Sequence, residues 1–183
     1  MITNHNPIQV LKPFFRTEEV LEEIRLCLEK GWTGMGYKTE EFEEKFKEFT
    51  GLNSCHFLNS ATSGLHLAFN IFKSELGWHD GDEIITTSLT FVSTNHAILY
   101  ENLTPVFADV DESLCLDPKS IENLISKKTK AIVYVGLGGN AANYKAIAQL
   151  CIKNNLTLIL DAAHMAGTRW LEDLSHVGTD ADC

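Results

Sequence analysis

Apolar and polar positions over the first fifty residues follow the spacing of two amphipathic helices around a loop. The first helix is predicted from four apolar residues at helical intervals, namely Val20, Leu21, Ile24 and Leu28. Thr17 stands before them as a candidate cap, and Gly31 ends the pattern. Residues 32–36 are predicted to form a loop. Thr39 is the predicted cap of a second helix, whose phenylalanines share one face at Phe42, Phe46 and Phe49.

From residue 55 the pattern changes to short apolar strands that alternate with helices. The predicted strands are Cys55 to Leu58, Glu83 to Thr87, Pro105 to Val110, Ala131 to Leu137 and Leu156 to Leu160. Helices are predicted through Leu65 to Phe72, from Val92 to Leu99, from the capping pair Asp117-Pro118 onward, and from Tyr144 to Lys153. Such alternation predicts an α/β fold with a mostly parallel, helix-covered sheet.

Composition and charge argue against several classes of protein. A formal charge of −10 over 183 residues disfavours non-specific nucleic-acid binding, which needs clustered Lys and Arg. The chain has no run of eighteen apolar residues and no signal-peptide pattern, so we expect a cytoplasmic protein without a membrane span. The five cysteines are widely spread and form no CxxC pair, which favours reduced thiols over a disulfide framework or a zinc site.

A first segment with candidate chemistry runs from Asn59 to Gly64, between a predicted strand and a predicted helix. Its small hydroxyl residues stand at a helix N-terminus, where free backbone N–H groups and the helix dipole favour an anion. The segment has neither the Gly-Lys-Ser/Thr phosphate loop nor the dinucleotide GxGxxG pattern, so it does not indicate a nucleotide. A plain Ser/Thr helix cap is the alternative interpretation.

Two further segments follow later strands, at the carboxyl ends where ligands of open α/β sheets bind. Phe91 lies in the segment from Ser88 to Asn95, and its ring can stack on a planar ligand or pack in the core. Asp161 ends the last predicted strand, and a half-buried carboxylate needs a partner such as a protonated pyridine nitrogen. The alternatives are a helix cap for Asp161 and an ordinary hydrogen-bonded histidine for His164.

The order of these segments, together with several shorter motifs, resembles the DegT/DnrJ/EryC1/StrS family of nucleotide-sugar aminotransferases. The resemblance extends over essentially the whole chain, and the combination is specific. Its motifs are Trp32-Thr33-Gly34 followed by Glu41-Phe42-Glu43, Gly81-Asp82-Glu83-Ile84-Ile85 running into Thr90-Phe91-Val92-Ser93-Thr94, Pro105-Val106-Phe107-Ala108-Asp109-Val110, Thr129-Lys130-Ala131-Ile132, and Asp161-Ala162-Ala163-His164.

This resemblance implies a pyridoxal 5'-phosphate (PLP) enzyme of fold type I. Residues 1–183 would then be the N-terminal helices and most of the large, coenzyme-binding domain. Carried over residue by residue, the resemblance assigns Thr62 and Ser63 to the coenzyme phosphate, Phe91 to stacking on the ring, Asp161 to the pyridine nitrogen, and His164 to the neighbourhood of the ring hydroxyl. Thr33 and Gly34 are implied near the substrate entrance.

Two departures from the family pattern concern the pocket and the chemistry. After the strand Ala131 to Val135 the family commonly has a histidine, whereas this chain has Gly136-Leu137-Gly138-Gly139-Asn140, so we expect a different pocket. The family's Schiff-base lysine follows an aromatic-Ser-aromatic strand, and neither Lys153 nor any earlier lysine matches that position. The sequence becomes loop-like after Asp161, and we expect a truncation before the lysine and the C-terminal small domain.

The implied activity is PLP-dependent transfer of an amino group from an amino acid, usually glutamate, to a keto sugar linked to a nucleotide. Without the lysine, we expect the 183-residue chain alone to be inactive. Two alternatives stay open: a PLP-dependent sugar dehydratase of the same fold, and a non-catalytic regulatory domain that binds PLP or another anion. A nicotinamide-dependent dehydrogenase is disfavoured because the glycine fingerprint is absent. The family also implies a homodimer.

Overall fold

The computed structural model describes residues 12–32 and 34–183. Contacts divide the chain into an N-terminal unit, Met1–Phe42, and a C-terminal unit, Glu43–Cys183. Helix α1, Thr17–Glu29, belongs to the N-terminal unit, and helix α2, Tyr37–Thr50, begins there. The assignment of residues 1–183 to N-terminal helices and a large coenzyme domain stays a prediction.

Both predicted caps of the N-terminal helices are wrong. Thr17 is already the first helical residue, and Arg16 stands at the cap position without a side-chain hydrogen bond. Thr39 lies inside the first turn of α2, where its N–H donates to the carbonyl of Gly36 at 2.9 Å. Both helices therefore begin earlier in the chain than the predicted caps require. The predicted stop is confirmed, since Gly31 adopts a left-handed φ of +68° directly after α1.

The C-terminal unit is built on a four-stranded parallel sheet. In chain order its strands are β1 Glu83–Thr87, β2 Thr104–Ala108, β3 Thr129–Val135 and β4 Thr157–Asp161, and their spatial order is β2-β1-β3-β4. The helices of the same unit are α3 Ala61–Glu75, α4 Val92–Tyr100, α5 Pro118–Leu124 and α6 Tyr144–Asn154. The predicted α/β fold with a parallel sheet is confirmed.

Alternate residues of β3 and β4 point into two apolar cores, one on each face of the sheet. Tyr134 and Leu158 belong to the core that includes residues of α5 and α6. Val133 and Ile159 belong to the core that includes residues of α3 and α4. Period-two alternation with both faces apolar is the pattern of a buried parallel strand, which explains why the polar residues of these strands stand at their ends.

One predicted strand, Cys55 to Leu58, is absent, and this prediction is wrong. A strand needs a neighbouring backbone with which to exchange hydrogen bonds. The N–H of Phe57 donates instead to the carboxylate of Glu43 at 2.7 Å. The outer edge of β4 is bonded by the backbone of residues 182–183, so it does not pair with this segment.

Most other element boundaries agree with the sequence to within about two residues, but α3 begins four residues before and ends three residues after the predicted span, Leu65 to Phe72. Asp117 caps α5 as predicted, since its carboxylate accepts from the N–H of Lys119 at 2.9 Å. The second strand was predicted to end at Val110 but ends at Ala108. Val110 instead forms an isolated antiparallel bridge with Leu116. The third ends at Val135, before a short 3-10 turn over Leu137–Gly139. No helix in the described residues is long and apolar enough to cross a membrane.

Candidate functional site

Asp161 is a buried carboxylate at the carboxyl end of β4, opposite Val135 of β3, and only 8% of it is exposed. The hydroxyl of Thr94 donates to its Oδ2 at 2.7 Å, and the N–H of Ala163 donates to its Oδ1 at 3.2 Å. A second hydroxyl, on Thr90, lies 2.8 Å from that of Thr94. Asp161 forms no ion pair within residues 12–32 and 34–183. Since a buried carboxylate is stabilised by a cation or several donors, its position favours a cationic ligand.

A narrow cleft of about 30 Å³ opens beside this carboxylate. It is lined by Thr90, Phe91, Val135, Gly136, Leu137, Asp161, Ala163 and His164. Phe91 stands directly before α4 and is 74% exposed, so it does not pack in the core. An exposed aromatic ring on the rim of a cleft is available to stack on a planar ligand.

The segment before α3 provides hydrogen-bond donors at a helix N-terminus. Ser60 is the cap: its Oγ accepts from the N–H of Ser63 at 3.1 Å and lies 3.0 Å from the Ser63 hydroxyl. The helix-cap interpretation is therefore correct for Ser60. The N–H groups of Ala61 and Thr62 have no hydrogen-bond partner in the part of the chain that the structure describes. Together with the helix dipole, these free donors suit an anion.

A larger groove of about 550 Å³ joins the start of α3 to the end of β4. Ala61 and Gly64 line it on the helix side, and Asp161 and Ala163 line it on the strand side. Asp161 and Ala163 also line the narrow cleft, so the two cavities meet at these residues. The fold thus brings the helix N-terminus, the carboxylate and the exposed aromatic ring to one edge of the sheet.

His164 lines the cleft and makes one hydrogen bond that the sequence does not predict. Its Nδ1 accepts from the backbone N–H of Gly138 at 3.1 Å. The Nε2 atom has no partner among the described residues, so the ring is only half satisfied by the protein. Of the two residues implied at the substrate entrance, Thr33 lies outside the described residues. Gly34 belongs to the N-terminal unit, and its role stays a prediction.

Two contributors to this site, Thr94 and Gly138, are not identified by sequence reasoning. Thr94 lies in the segment from Ser88 to Asn95, four residues after Thr90, and only the tertiary fold places it against Asp161. Gly138 acts through its backbone, which carries no side-chain signal.

Comparison with known proteins settles the family. Residues 15–183 match the sequence model of the DegT/DnrJ/EryC1/StrS aminotransferase family. The chain belongs to this family. The resemblance indicated by the sequence motifs is therefore confirmed over nearly the whole chain, and the helix-flanked parallel sheet agrees with the fold type I that it implies.

Relatives in the DegT/DnrJ/EryC1/StrS family include proteins of polysaccharide and pseudoaminic acid biosynthesis. The chain is 38% identical over 154 residues to the spore coat polysaccharide biosynthesis protein SpsC of Bacillus subtilis, covering 84% of this chain and 39% of SpsC. Among solved structures it is similar to PseC of Helicobacter pylori, an aminotransferase involved in the biosynthesis of pseudoaminic acid. That match has 32% identity and a TM-score of 0.76, and covers 88% of this chain and 42% of PseC.

A further solved relative contains a coenzyme. NtdA of Bacillus subtilis, determined with bound PMP, matches with 26% identity and a TM-score of 0.78, covering 87% of this chain and 36% of NtdA. The chain therefore spans about two fifths of the length of the family members that it matches.

Proposed function

We propose that this chain provides the coenzyme-binding part of a PLP-dependent sugar aminotransferase. The observation that carries the proposal is the buried carboxylate of Asp161. It lies without an ion-pair partner in the described residues, in a cleft whose rim is the exposed ring of Phe91. A planar, cationic heterocycle with an attached phosphate matches this set of groups. PLP has that chemistry, and family membership supports the choice.

The residues present fit the two ends of this coenzyme. At the phosphate end, the free N–H groups of Ala61 and Thr62 and the hydroxyls of Thr62 and Ser63 provide donors at the positive end of α3. At the ring end, Asp161 accepts a hydrogen bond from Thr94 and is available to accept another from a protonated pyridine nitrogen. The groove that joins Ala61 to Asp161 leaves space between the two ends.

Asp161 has the central chemical role in this proposal. PLP supplies an electron sink when its ring nitrogen carries a proton. A buried carboxylate at hydrogen-bond distance favours that protonated form, since separating the charges in a low-dielectric site is costly. Thr94 and the N–H of Ala163 each donate to one carboxylate oxygen, and these two hydrogen bonds fix the orientation of the carboxylate group.

Phe91 and His164 complete the ring contacts. We place Phe91 over one face of the ring, because its side chain is exposed at the mouth of the cleft. We place His164 beside the ring hydroxyl, because its unpaired Nε2 is the remaining polar atom of a cleft-lining imidazole.

The substrates belong to the same proposal. We infer a keto sugar linked to a nucleotide as amino acceptor and an amino acid, glutamate in the first instance, as donor. The names of SpsC and PseC, a polysaccharide biosynthesis protein and an aminotransferase of pseudoaminic acid biosynthesis, support this substrate class. We further propose a cytoplasmic homodimer, as the family resemblance implies.

We also propose that the 183-residue chain by itself does not transaminate. No lysine of this chain occupies the position of the family's covalent lysine, so the group that would bond to PLP and move the substrate proton is missing. Binding of PLP is then non-covalent and depends on the phosphate, ring and Asp161 contacts.

PLP titration of the 183-residue chain, followed by absorbance and tryptophan fluorescence, tests the proposal. Asp161→Asn keeps the shape and removes the charge. We expect it to weaken binding by roughly tenfold or more, the worth of one charge-assisted hydrogen bond. Asp109→Asn is the matched control, because Asp109 directly follows β2 but lies exposed and outside both cavities. Equal affinity of the two variants would refute the assignment.

Borohydride treatment of the PLP-loaded chain, followed by intact mass and peptide mapping, tests the second half of the proposal. We expect no stoichiometric pyridoxyl adduct on one lysine. A single, saturable adduct would show that the chain does carry a reactive lysine, and the proposed inactivity would then be wrong.

A further inference from the structure

The glycine turn of residues 136–139 is fastened to the segment that carries His164. The N–H of Gly136 donates to the carbonyl of Asp161 at 3.3 Å, and the hydroxyl of Thr168 donates to the carbonyl of Gly139 at 3.1 Å. Within the turn, the N–H of Gly139 donates to the carbonyl of Gly136 at 3.0 Å. These bonds hold the turn against the strand end that carries the buried carboxylate.

Gly136 lets the turn approach this closely because Met165 occupies the space of a side chain. A Cβ built on Gly136 would lie 1.8 Å from Met165 Sδ and 2.4 Å from its Cγ. Met165 is fully buried and belongs to the apolar core. The thioether of Met165 therefore fills the space that a side chain at position 136 would occupy, and it packs against the turn.

Gly138 presents its N–H to the histidine. Its φ of +64° is left-handed, a conformation that glycine adopts without the steric cost borne by other residues. The N–H points at Nδ1 of His164 at 3.1 Å. Since a backbone N–H can only donate, this nitrogen must hold a lone pair, and the neutral imidazole then carries its proton on Nε2.

We propose that Gly138 is a positioning residue for His164, holding it as the Nε2–H tautomer so that it donates to an anionic oxygen of a ring bound at the mouth of the cleft. Hydrogen bonds to one ring nitrogen commonly decide which tautomer the other presents to a ligand. The identity of the ring rests on the proposed function. The tautomer is a property of the chain alone and is tested without any coenzyme.

The tautomer is measured by long-range proton–nitrogen correlation spectra of the chain labelled with nitrogen-15 in histidine. The chain has seven histidines, and the signals that His164→Gln removes belong to this residue. We expect an unprotonated Nδ1 and a protonated Nε2 at neutral pH in the coenzyme-free chain. A proton on Nδ1, or an even mixture of the two tautomers, would overturn the proposal.

Three glycine variants test the part played by Gly138. Gly138→Ala strains the turn, and we expect its His164 signals to shift toward a tautomer mixture. Gly138→Asn should restore them, because asparagine tolerates a left-handed φ. Gly77→Ala is the matched control, with a φ of +66° and, like Gly138, no atom within 4 Å of the added Cβ. It should lower the melting temperature as Gly138→Ala does and leave His164 unchanged. Unaltered His164 signals in Gly138→Ala would refute the role of Gly138.

Coenzyme binding gives the second readout. We expect Gly138→Ala to weaken PLP binding about twofold for an even mixture of tautomers, because only the Nε2–H form donates to the ring oxygen. For 3-O-methylpyridoxal phosphate, which lacks the ionisable ring hydroxyl, the variant and the wild type should bind equally. An equal loss with both ligands would show that His164 does not contact this oxygen. If PLP does not bind the wild type, both the proposed function and the proposed contact between His164 and the ring oxygen are wrong. The spectra still test the tautomer of His164.

Discussion

The contact between Gly136 and Met165 predicts a strongly non-additive pair of substitutions. Gly136→Ala places a methyl group 1.8 Å from Met165 Sδ, whereas real Cβ contacts stay above 3.0 Å, so the sulfur must retreat by about 1.2 Å or more. Met165 has no exposed surface and packs within the core of Tyr134 and Val177. Overpacking of this kind costs about 1–3 kcal/mol, with the flexible methionine favouring the lower part of that range.

Met165→Ala alone should cost about 2–5 kcal/mol, because it removes a buried side chain and leaves a cavity. In the double variant the methyl group added at position 136 enters that cavity. The cost of Gly136→Ala then vanishes, and the two losses combine to less than their sum by about 1–2 kcal/mol. Position 136 has an ordinary negative φ of −83°, so backbone strain does not contribute.

Equilibrium urea unfolding, followed by circular dichroism and tryptophan fluorescence, measures the free energy of unfolding of the wild type, the two single variants and the double variant. Gly167→Ala is the control: it adds the same methyl group to the neighbouring segment with nothing within 4 Å, and should change stability by less than about 0.5 kcal/mol. Additive losses, or a neutral Gly136→Ala, would show that Met165 does not fill the side-chain space at position 136.

Three further predictions concern buried polar groups. Thr94→Val should cost about 1–3 kcal/mol by removing the donor to the buried carboxylate of Asp161, whereas Thr94→Ser should largely keep it; unfolding by urea compares them. Burial, helped by a nearby carboxylate, raises the pKa of Cys151 from 9.0 to about 12, so its contribution to stability is complete below pH 9 and is lost as the pH rises toward 12. Cys151→Ala should flatten that decline, and an unchanged slope would contradict the assignment. Tyr144 donates to Asp180 at 2.8 Å, and Tyr144→Phe should cost about 1 kcal/mol in a thermal melt, with no loss expected if that bond does not form.

Much of the α/β unit is predictable because its signals are local. The apolar run of β1 has the predicted bounds, Glu83–Thr87, and Asp117-Pro118 begins α5 where the capping rule places it. The order of the site segments is also visible in the sequence, since α3 and β4 leave Thr62 and Asp161 at their ends. Each strand, helix start and candidate segment is recognised from residues only a few positions apart.

The features that sequence reasoning missed are those that depend on partners far along the chain. Cys55 to Leu58 has an apolar pattern but no strand, because a strand exists only where a neighbouring backbone bonds to it. The caps at Thr17 and Thr39 are wrong because α1 already includes Thr17 and α2 already begins at Tyr37. A pattern of residue types locates a helix end only to within a few residues.

The sequence by itself determined the alternation of strands and helices, the family, and the types of side chain available at the site. Only the tertiary structure decided which of them meet. The sheet order β2-β1-β3-β4 sets α4 beside the end of β4, so that Thr94 reaches Asp161 across 67 positions. It also sets the turn after β3 beside His164. Contacts of this kind depend on three-dimensional packing, which the local spacing of apolar residues and the helix-capping residues do not specify.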